Sequence, residues 1–276
     1  MATARSATVP TLVVRHPLWA FYLLSVALSW TVVLVARVVG ADRMYVLSVA
    51  SPAVAALVVT RLVEGPGAEW RFTRGALRWR VPLTWWAVAV LLPLAIVVGA
   101  VAAWSMRTGG HAWAFSLGPW LAAVPMILVL IPVNGITEEL GWRGFWLARL
   151  QQRRPALAAS VLVGLGWGLW HAPALIVEGT SQQIVASVVG FWPALLFWVA
   201  ASVPISVVYT WLFNNAAHSV LVVSVLHAAT NGWLGAAVTD LPPAGVAQVA
   251  AWFALGRTLA AAPLWALRGA PDRTQA

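Results

Sequence analysis

Cysteine and lysine are both absent from this chain of 276 residues, and only 8 residues are acidic. Without cysteine there are no disulfides, no thiolate metal sites and no thiol nucleophile. Charged residues make up 9% of the chain, against about 25% in a typical soluble protein. What fills the chain instead is hydrocarbon: 61% of residues are hydrophobic and the mean hydropathy is +0.84. No long polar stretch could fold into a second, soluble unit. The composition predicts an all-α, polytopic membrane protein in which residues 1–276 form a single membrane domain. The net charge of +9 is carried by arginine alone. In a membrane chain such a balance signals topology and contact with anionic lipid rather than nucleic acid. Residue usage rich in Ala, Val, Arg and Trp and free of Lys and Cys points to a GC-rich bacterial genome.

Eight apolar segments follow one another near 17–36, 44–62, 83–104, 121–150, 156–177, 191–213, 216–236 and 244–267. Each is close to the roughly 20 residues that span a bilayer, so about eight transmembrane helices are expected. The first apolar run exceeds the roughly 7–15 residues of a signal peptide. Arginine placement sets orientation. With the N-terminus inside, the inside set is Arg5, Arg15, Arg61, Arg71, Arg74, Arg78, Arg80, Arg149, Arg153, Arg154, Arg268 and Arg273. The outside set is Arg37, Arg43 and Arg107. A multi-pass protein of the cytoplasmic membrane with both termini cytoplasmic is expected. Residues 63–82, with Gly65, Pro66 and Gly67 and several Arg, read as a cytoplasmic loop or surface-lying segment.

Against that background, the adjacent Glu138 and Glu139, with Arg143 beyond them, stand out. In lipid an ionisable group must pair, line a wet cavity or act in function. Depth can be counted from the turn at Arg153–Pro155. Glu139 lies 14 residues before Arg153 and His171 lies 18 after it. At ~1.5 Å per residue these sit ~21 and ~27 Å above the turn, roughly level. Taking Asn215 as the next boundary on that side, His227 lies about 18 Å up the seventh helix by the same rise. Asn231 is one turn further. Glu138, Glu139, Arg143, His171, His227 and Asn231 are therefore expected to meet in one intramembrane polar cavity. Glu139/Arg143 and His227/Asn231 are each i, i+4 pairs on one helix face. Asn134 can extend the polar face by a turn. Gly135, Gly141, Gly144, Gly164, Gly166 and Gly168 allow close helix approach around it.

Two carboxylates, two imidazoles, an amide and a guanidinium suit hydrolysis. One desolvated carboxylate can take a proton from water. An imidazole can orient that water, and a His and an Asn on one face can donate to a developing oxyanion. Arg143 can hold a carboxylate ionised. No Ser-His-Asp arrangement suggests itself. Two His and a Glu are also zinc ligands, but no H-E-x-x-H helix is present and the ligands would come from three helices. No cofactor is expected, with a divalent metal such as zinc as the alternative.

The stretch from Glu138 to Gly144, EELGWRG, resembles the EExxxR motif of the CAAX-protease and bacteriocin-processing (CPBP) family, the type II CAAX-prenyl-endopeptidase-like intramembrane proteases. Trp167 to Pro173 resembles that family's FxxxH motif, with Trp in place of Phe, and His227 to Asn231 resembles its HxxxN motif. All three fall within residues 120–235, in order, so this region resembles the family's catalytic core. The resemblance implies an intramembrane endopeptidase in which Glu138 activates water together with His171. His227 and Asn231 would form the oxyanion site, and Glu139 with Arg143 would position the constellation. A peptide or protein substrate at the membrane is implied, with the bilayer as surroundings. The Trp at 167 should leave the chemistry intact and reshape the substrate cleft.

Other roles for these residues remain open. The Glu–Glu–Arg patch alone also fits a helix-packing ion pair or a proton relay in a transporter. A non-catalytic immunity or scaffold protein of the same fold is the other alternative. His171 or His227 alone would read as a helix–helix contact. His16 and His111 read as surface residues, and His218 as interfacial. Arg257, inside the last span, has no evident partner.

Overall fold

The computed structural model describes residues 11–109 and 117–266. Arg5, His111, Arg268 and Arg273 lie outside the described residues. Among those described there are helices and no strands. Lipid cannot hydrogen-bond a bare backbone, so an apolar run this long closes its N–H and C=O groups on itself as helix.

Among the described residues, ten helices follow a short lead-in at Thr11–Arg15. They are α1 (Pro17–Val38), α2 (Asp42–Glu64), α3 (Ala68–Ala76), α4 (Leu83–Arg107) and α5 (Leu117–Leu150). Then come α6 (Ala156–Ile176), α7 (Ser181–Val189), α8 (Phe191–Asn215), α9 (Val220–Val238) and α10 (Pro243–Ala266). Seven of these, all but α3, α7 and α10, are long and apolar enough to cross a membrane. This is a multi-pass membrane protein. The eighth apolar segment also forms one continuous helix, α10, but Gln248 and Arg257 dilute its apolar character.

Three local details depart from the sequence expectation. Residues 63–82 contain a helix, α3, which starts after Gly67 at φ 83° and is pinned to α2 by Arg61 and Glu69 at 2.7 Å. The short helix α7 was not anticipated. Thr180 caps it by accepting from the Gln183 N–H at 3.1 Å, and Gly190 at φ 89° ends it. Finally, α9 begins at Val220 rather than 216. Ala217 and His218 both take left-handed φ (52° and 55°) and break the helix there. Ser219 then restarts it, accepting from Val222 N–H at 3.2 Å while its hydroxyl donates to the Arg78 carbonyl at 2.5 Å.

Hydrophobicity cannot drive helices together in lipid, so close backbone approach carries the association. Gly164 and Gly168, one turn apart on α6, face Val203 and Val199 on α8. A Cβ at either glycine would lie 2.7 Å from the opposing Cα. Gly135 brings α5 onto α9 in the same way, with a Cβ 2.6 Å from the Ser224 carbonyl oxygen. The turns after α5 and α8 share one face of the bundle, because Gln151 and Asn214 exchange amide hydrogen bonds at 2.8 and 3.2 Å.

The fourth span is irregular where the site lies. Around Thr137–Glu139, which is α-helical, Ile131–Ile136 and Leu140–Leu147 form wider π turns with i→i+5 bonding. Pro132, which has no N–H to give, sits in the first of them. Such turns insert a residue into the helix and recur at functional positions.

Candidate active site

Helices α5, α6 and α9 bring the charged residues together, as counting along the helices predicts for Glu138, Glu139, Arg143 and His227. Glu139 and Arg143 are both fully buried. The Arg143 Nη1 lies 3.0 Å from one Glu139 oxygen and 2.9 Å from the other. The same carboxylate accepts from His227 Nδ1 at 2.7 Å. Glu139 is thus the hub, holding a guanidinium on one side and an imidazole on the other. A buried ion pair survives desolvation only when its geometry is good and its remaining lone pairs are occupied, and the second partner helps to meet that condition.

Glu138 is held separately. Its Oε2 accepts from the Trp167 indole N–H at 2.9 Å. Its Oε1 stands 3.9 Å from His227 Nε2, beyond hydrogen-bond reach. Glu138 and His227 are only 3% and 4% exposed. Glu138 thus differs from Glu139 in carrying no arginine, and its Oε1 accepts no hydrogen bond from His227.

His171 is half-buried at the end of the straight part of α6. Its Nδ1 lies 2.8 Å from the Trp167 carbonyl oxygen. A carbonyl only accepts, so Nδ1 carries a proton, and in the neutral ring it is Nε2 that presents the lone pair. His171 meets the other residues through Trp167, whose ring centroid is 5.5 Å from that of His171 and 5.5 Å from that of His227.

Asn231 stands apart. It follows His227 by one turn on α9 but is exposed, and it makes no hydrogen bond to the other five residues. Asn134 is half-buried, and its Oδ1 has no hydrogen-bond partner. Among the described residues, no group of three or more His, Asp and Glu is arranged to hold a metal ion.

Two residues of the site were not singled out for these contacts from the sequence. Trp167 touches nearly everything: besides Glu138 and the two imidazoles, its ring lies 4.7 Å from the Arg143 guanidinium carbon. Tyr209 on α8 lies beside Trp167, 4.6 Å from the same guanidinium carbon, and its ring is 5.8 Å from His227. Arg143 thus rests against two adjoining aromatic rings, an attraction worth about 2 kcal/mol or more when desolvated. The position of Trp167, one turn before His171 and level with Glu138, carries a signal for its role. A lone Tyr in an apolar span carries none.

The indole N–H is a donor that the Phe of the motif lacks. In Trp167→Phe a smaller aromatic ring remains and the bond from the indole N–H to Glu138 is lost. The expected result is a fall of about 10- to 100-fold in kcat, the worth of a hydrogen bond to a charged group, with KM little changed. Steady-state cleavage kinetics measure it, and an unaltered kcat would show that the indole N–H has no part in placing Glu138.

Residues 119–233 match the family described as type II CAAX prenyl endopeptidase Rce1-like. The chain is also 31% identical over 101 residues to CAAX prenyl protease 2 of Methanococcus maripaludis. That alignment takes in 37% of this chain and spans 36% of the relative's length. The matched region contains all three motifs in their expected order. Over this region the chain is similar to the type II CAAX prenyl endopeptidase Rce1-like family.

Proposed function

We propose that this protein is an intramembrane endopeptidase in which Glu138 activates the attacking water. The observation that carries the reading is the split between the two carboxylates. Glu139 is committed to Arg143 and His227, whereas Glu138 is oriented by Trp167 and keeps Oε1 free, 3.9 Å from His227 Nε2. A water at Oε1 gives its proton to that oxygen as it attacks the peptide carbonyl carbon. His171 Nε2 accepts the other water hydrogen and fixes the direction of attack. The carbonyl oxygen takes up negative charge and is met by His227, which is doubly protonated against ionised Glu139 and donates through Nε2. Asn231 completes the oxyanion site when a bound peptide draws its amide inward. Protonated Glu138 then passes its proton to the departing amine, the C–N bond breaks, and the carboxylate is restored.

Residues 120–235 supply this machinery. No metal is needed for it: the donor atoms left free by the hydrogen bonds already drawn are the ones that handle water and oxyanion. The substrate is a peptide or protein at the membrane, and the relative's name makes a prenylated CAAX protein one class to test. We place the protein in the cytoplasmic membrane with both termini cytoplasmic. The support is the run Arg61, Arg71, Arg74, Arg78 and Arg80 and the trio Arg149, Arg153 and Arg154, set against Arg37, Arg43 and Arg107.

Comparing the peptides in membranes that carry the wild type with those that carry Glu138→Gln tests the activity and finds the substrate. Peptides with new termini should appear with the wild type alone. Identical peptide populations would favour a non-catalytic protein of the same fold. Chelator added to the active sample should leave cleavage intact, and complete, zinc-reversible loss would overturn the metal-free mechanism.

A further inference from the structure

The helix α3 covers one of its faces and leaves the other bare. Ala68 and Ala76 are buried, and Phe72 between them packs edge-on against Phe145 of α5, with ring centroids 6.3 Å apart. Phe72 also crowds Gly144, where a Cβ would lie 3.3 Å from its ring. Gly144 is seven residues before Gln151, so Phe72 reaches up to ~10 Å inward of the turns that carry Gln151 and Asn214. The chain after α3 stays on the bundle as well, since Ser219, just before α9, donates to the Arg78 carbonyl. The helix therefore lies beside the ends of the spans, at the depth of the headgroup layer of a bilayer.

Trp70 and Arg74, one turn apart, project from the side opposite Phe72, and Arg71 stands next to Arg74. Beyond the helix, Arg78 Nε donates to the Gly75 carbonyl at 3.1 Å, which folds that side chain back onto the helix end. The Arg80 guanidinium carbon is 5.0 Å from the Trp79 ring. All six side chains are exposed, Trp70 and Trp79 to 67% and 65%. The neighbouring carboxylates are already engaged: Glu69 pairs with Arg61 at 2.7 Å and Glu64 with Arg149 at 2.6 Å. Among the described residues, Arg71, Arg74, Arg78 and Arg80 form no ion pair.

We propose that this face binds the headgroups of anionic phospholipids, with the guanidiniums on headgroup phosphates and the two indoles at the boundary with the acyl chains. Orientation in the membrane requires only that arginines lie on one side. It does not require them to gather on one face of a helix together with exposed tryptophans. A guanidinium holds phosphate oxygens through paired N–H bonds, and each basic side chain adds to the attraction of an anionic leaflet. Trp is favoured where one edge meets hydrocarbon and the other meets water. A soluble acidic partner would match the charge but would leave the indoles without hydrocarbon. The opposite face of α3 rests on Gly144, next to Arg143, so the lipid-bound helix backs onto the span that carries both glutamates.

The absence of cysteine allows a single fluorescent label to be placed. Gly75→Cys suits it, because a Cβ there meets nothing within 4 Å. Gly235→Cys, equally open and exposed toward the far end of α9, is the control. The labelled full chain is reconstituted in phosphatidylcholine with a minor fraction of phosphatidylglycerol, and a quenching spin label is carried high on the acyl chain of one lipid or the other at equal mole fraction. At position 75, spin-labelled phosphatidylglycerol should quench about 3-fold or more strongly than spin-labelled phosphatidylcholine, and the preference should fall as salt is raised. At position 235 the two lipids should quench alike. Arg71→Gln/Arg74→Gln, which leaves the Phe72 face untouched, should remove at least half of the preference. Arg78→Gln/Arg80→Gln should do the same and decides the matter if the first variant does not fold. Equal quenching by both lipids at position 75, an equal preference at position 235, or a preference unchanged in the folded variants would overturn the proposal. So would quenching at position 75 by aqueous iodide as strong as that of the free dye, which would turn this face to water and to a soluble partner. The readout is lipid contact, so it stands whether or not cleavage is found.

Discussion

Glu138→Gln is expected to lower kcat/KM for peptide cleavage by about 10²- to 10⁴-fold, the range a positioned general base supplies. The substitution is nearly isosteric. The amide oxygen can still accept the Trp167 indole N–H, now 2.9 Å from Oε2, so the site should keep its shape. What disappears is an oxygen able to hold a proton taken from water. The protein should therefore insert and melt as the wild type does while its turnover collapses. Purified protein assayed in nanodiscs, with melting followed in parallel, separates the two effects. Turnover within a few-fold of wild type would remove Glu138 from the chemistry. Collapse of both turnover and stability would instead make the residue structural.

Arg143→Leu should act in the opposite way, through stability. Arg143 is fully buried with Glu139 at 2.9–3.0 Å, and its removal leaves that carboxylate facing His227 alone. Breaking one side of a buried pair costs about 3–5 kcal/mol. The loss of contact with the Trp167 and Tyr209 faces acts in the same direction. The double variant Arg143→Leu/Glu139→Leu removes both charges and should recover much of the loss, since apolar replacements of whole buried pairs are often neutral. Denaturation in detergent would show the order wild type, double variant, single variant. A single variant as stable as wild type, or a double variant weaker than the single, would mean that the pair is not a structural keystone.

The depth of the site was legible because helix rise is constant and the turns could be located. Gln151 and Asn214 meet across one face, so the two starting points of the count share one level, and His227 arrives within 2.7 Å of Glu139. Azimuth was harder to read. Asn231 shares a face with His227 by spacing, yet one turn further along α9 that face has left the bundle and lies exposed. The start of α9 was misread because Ala217 and His218 adopt left-handed backbone without the glycine that usually announces it. The contact between Trp167 and Glu138 depends on a side-chain rotamer, which spacing does not encode. Tyr209 and Arg257 were illegible for a related reason. Tyr209 meets Arg143 and Thr230 on other helices and Arg257 rests on Phe253 of its own, and a single polar residue in an apolar span does not say which neighbour it will face.

The π turns on either side of Thr137–Glu139 have a consequence for how this site can change over evolutionary time. In a regular α-helix each residue advances the direction of its side chain by about 100°. A π turn takes up one additional residue within about one turn, so the helix on either side of it keeps its register. Loss of a single codon between Ile131 and Ile136 would therefore return that segment to the regular repeat and leave Glu138 and Glu139 facing His227 and Trp167. The same loss in a regular stretch would swing the residues beyond it by about 100°. The π turns thus give this span slack in length next to its chemistry.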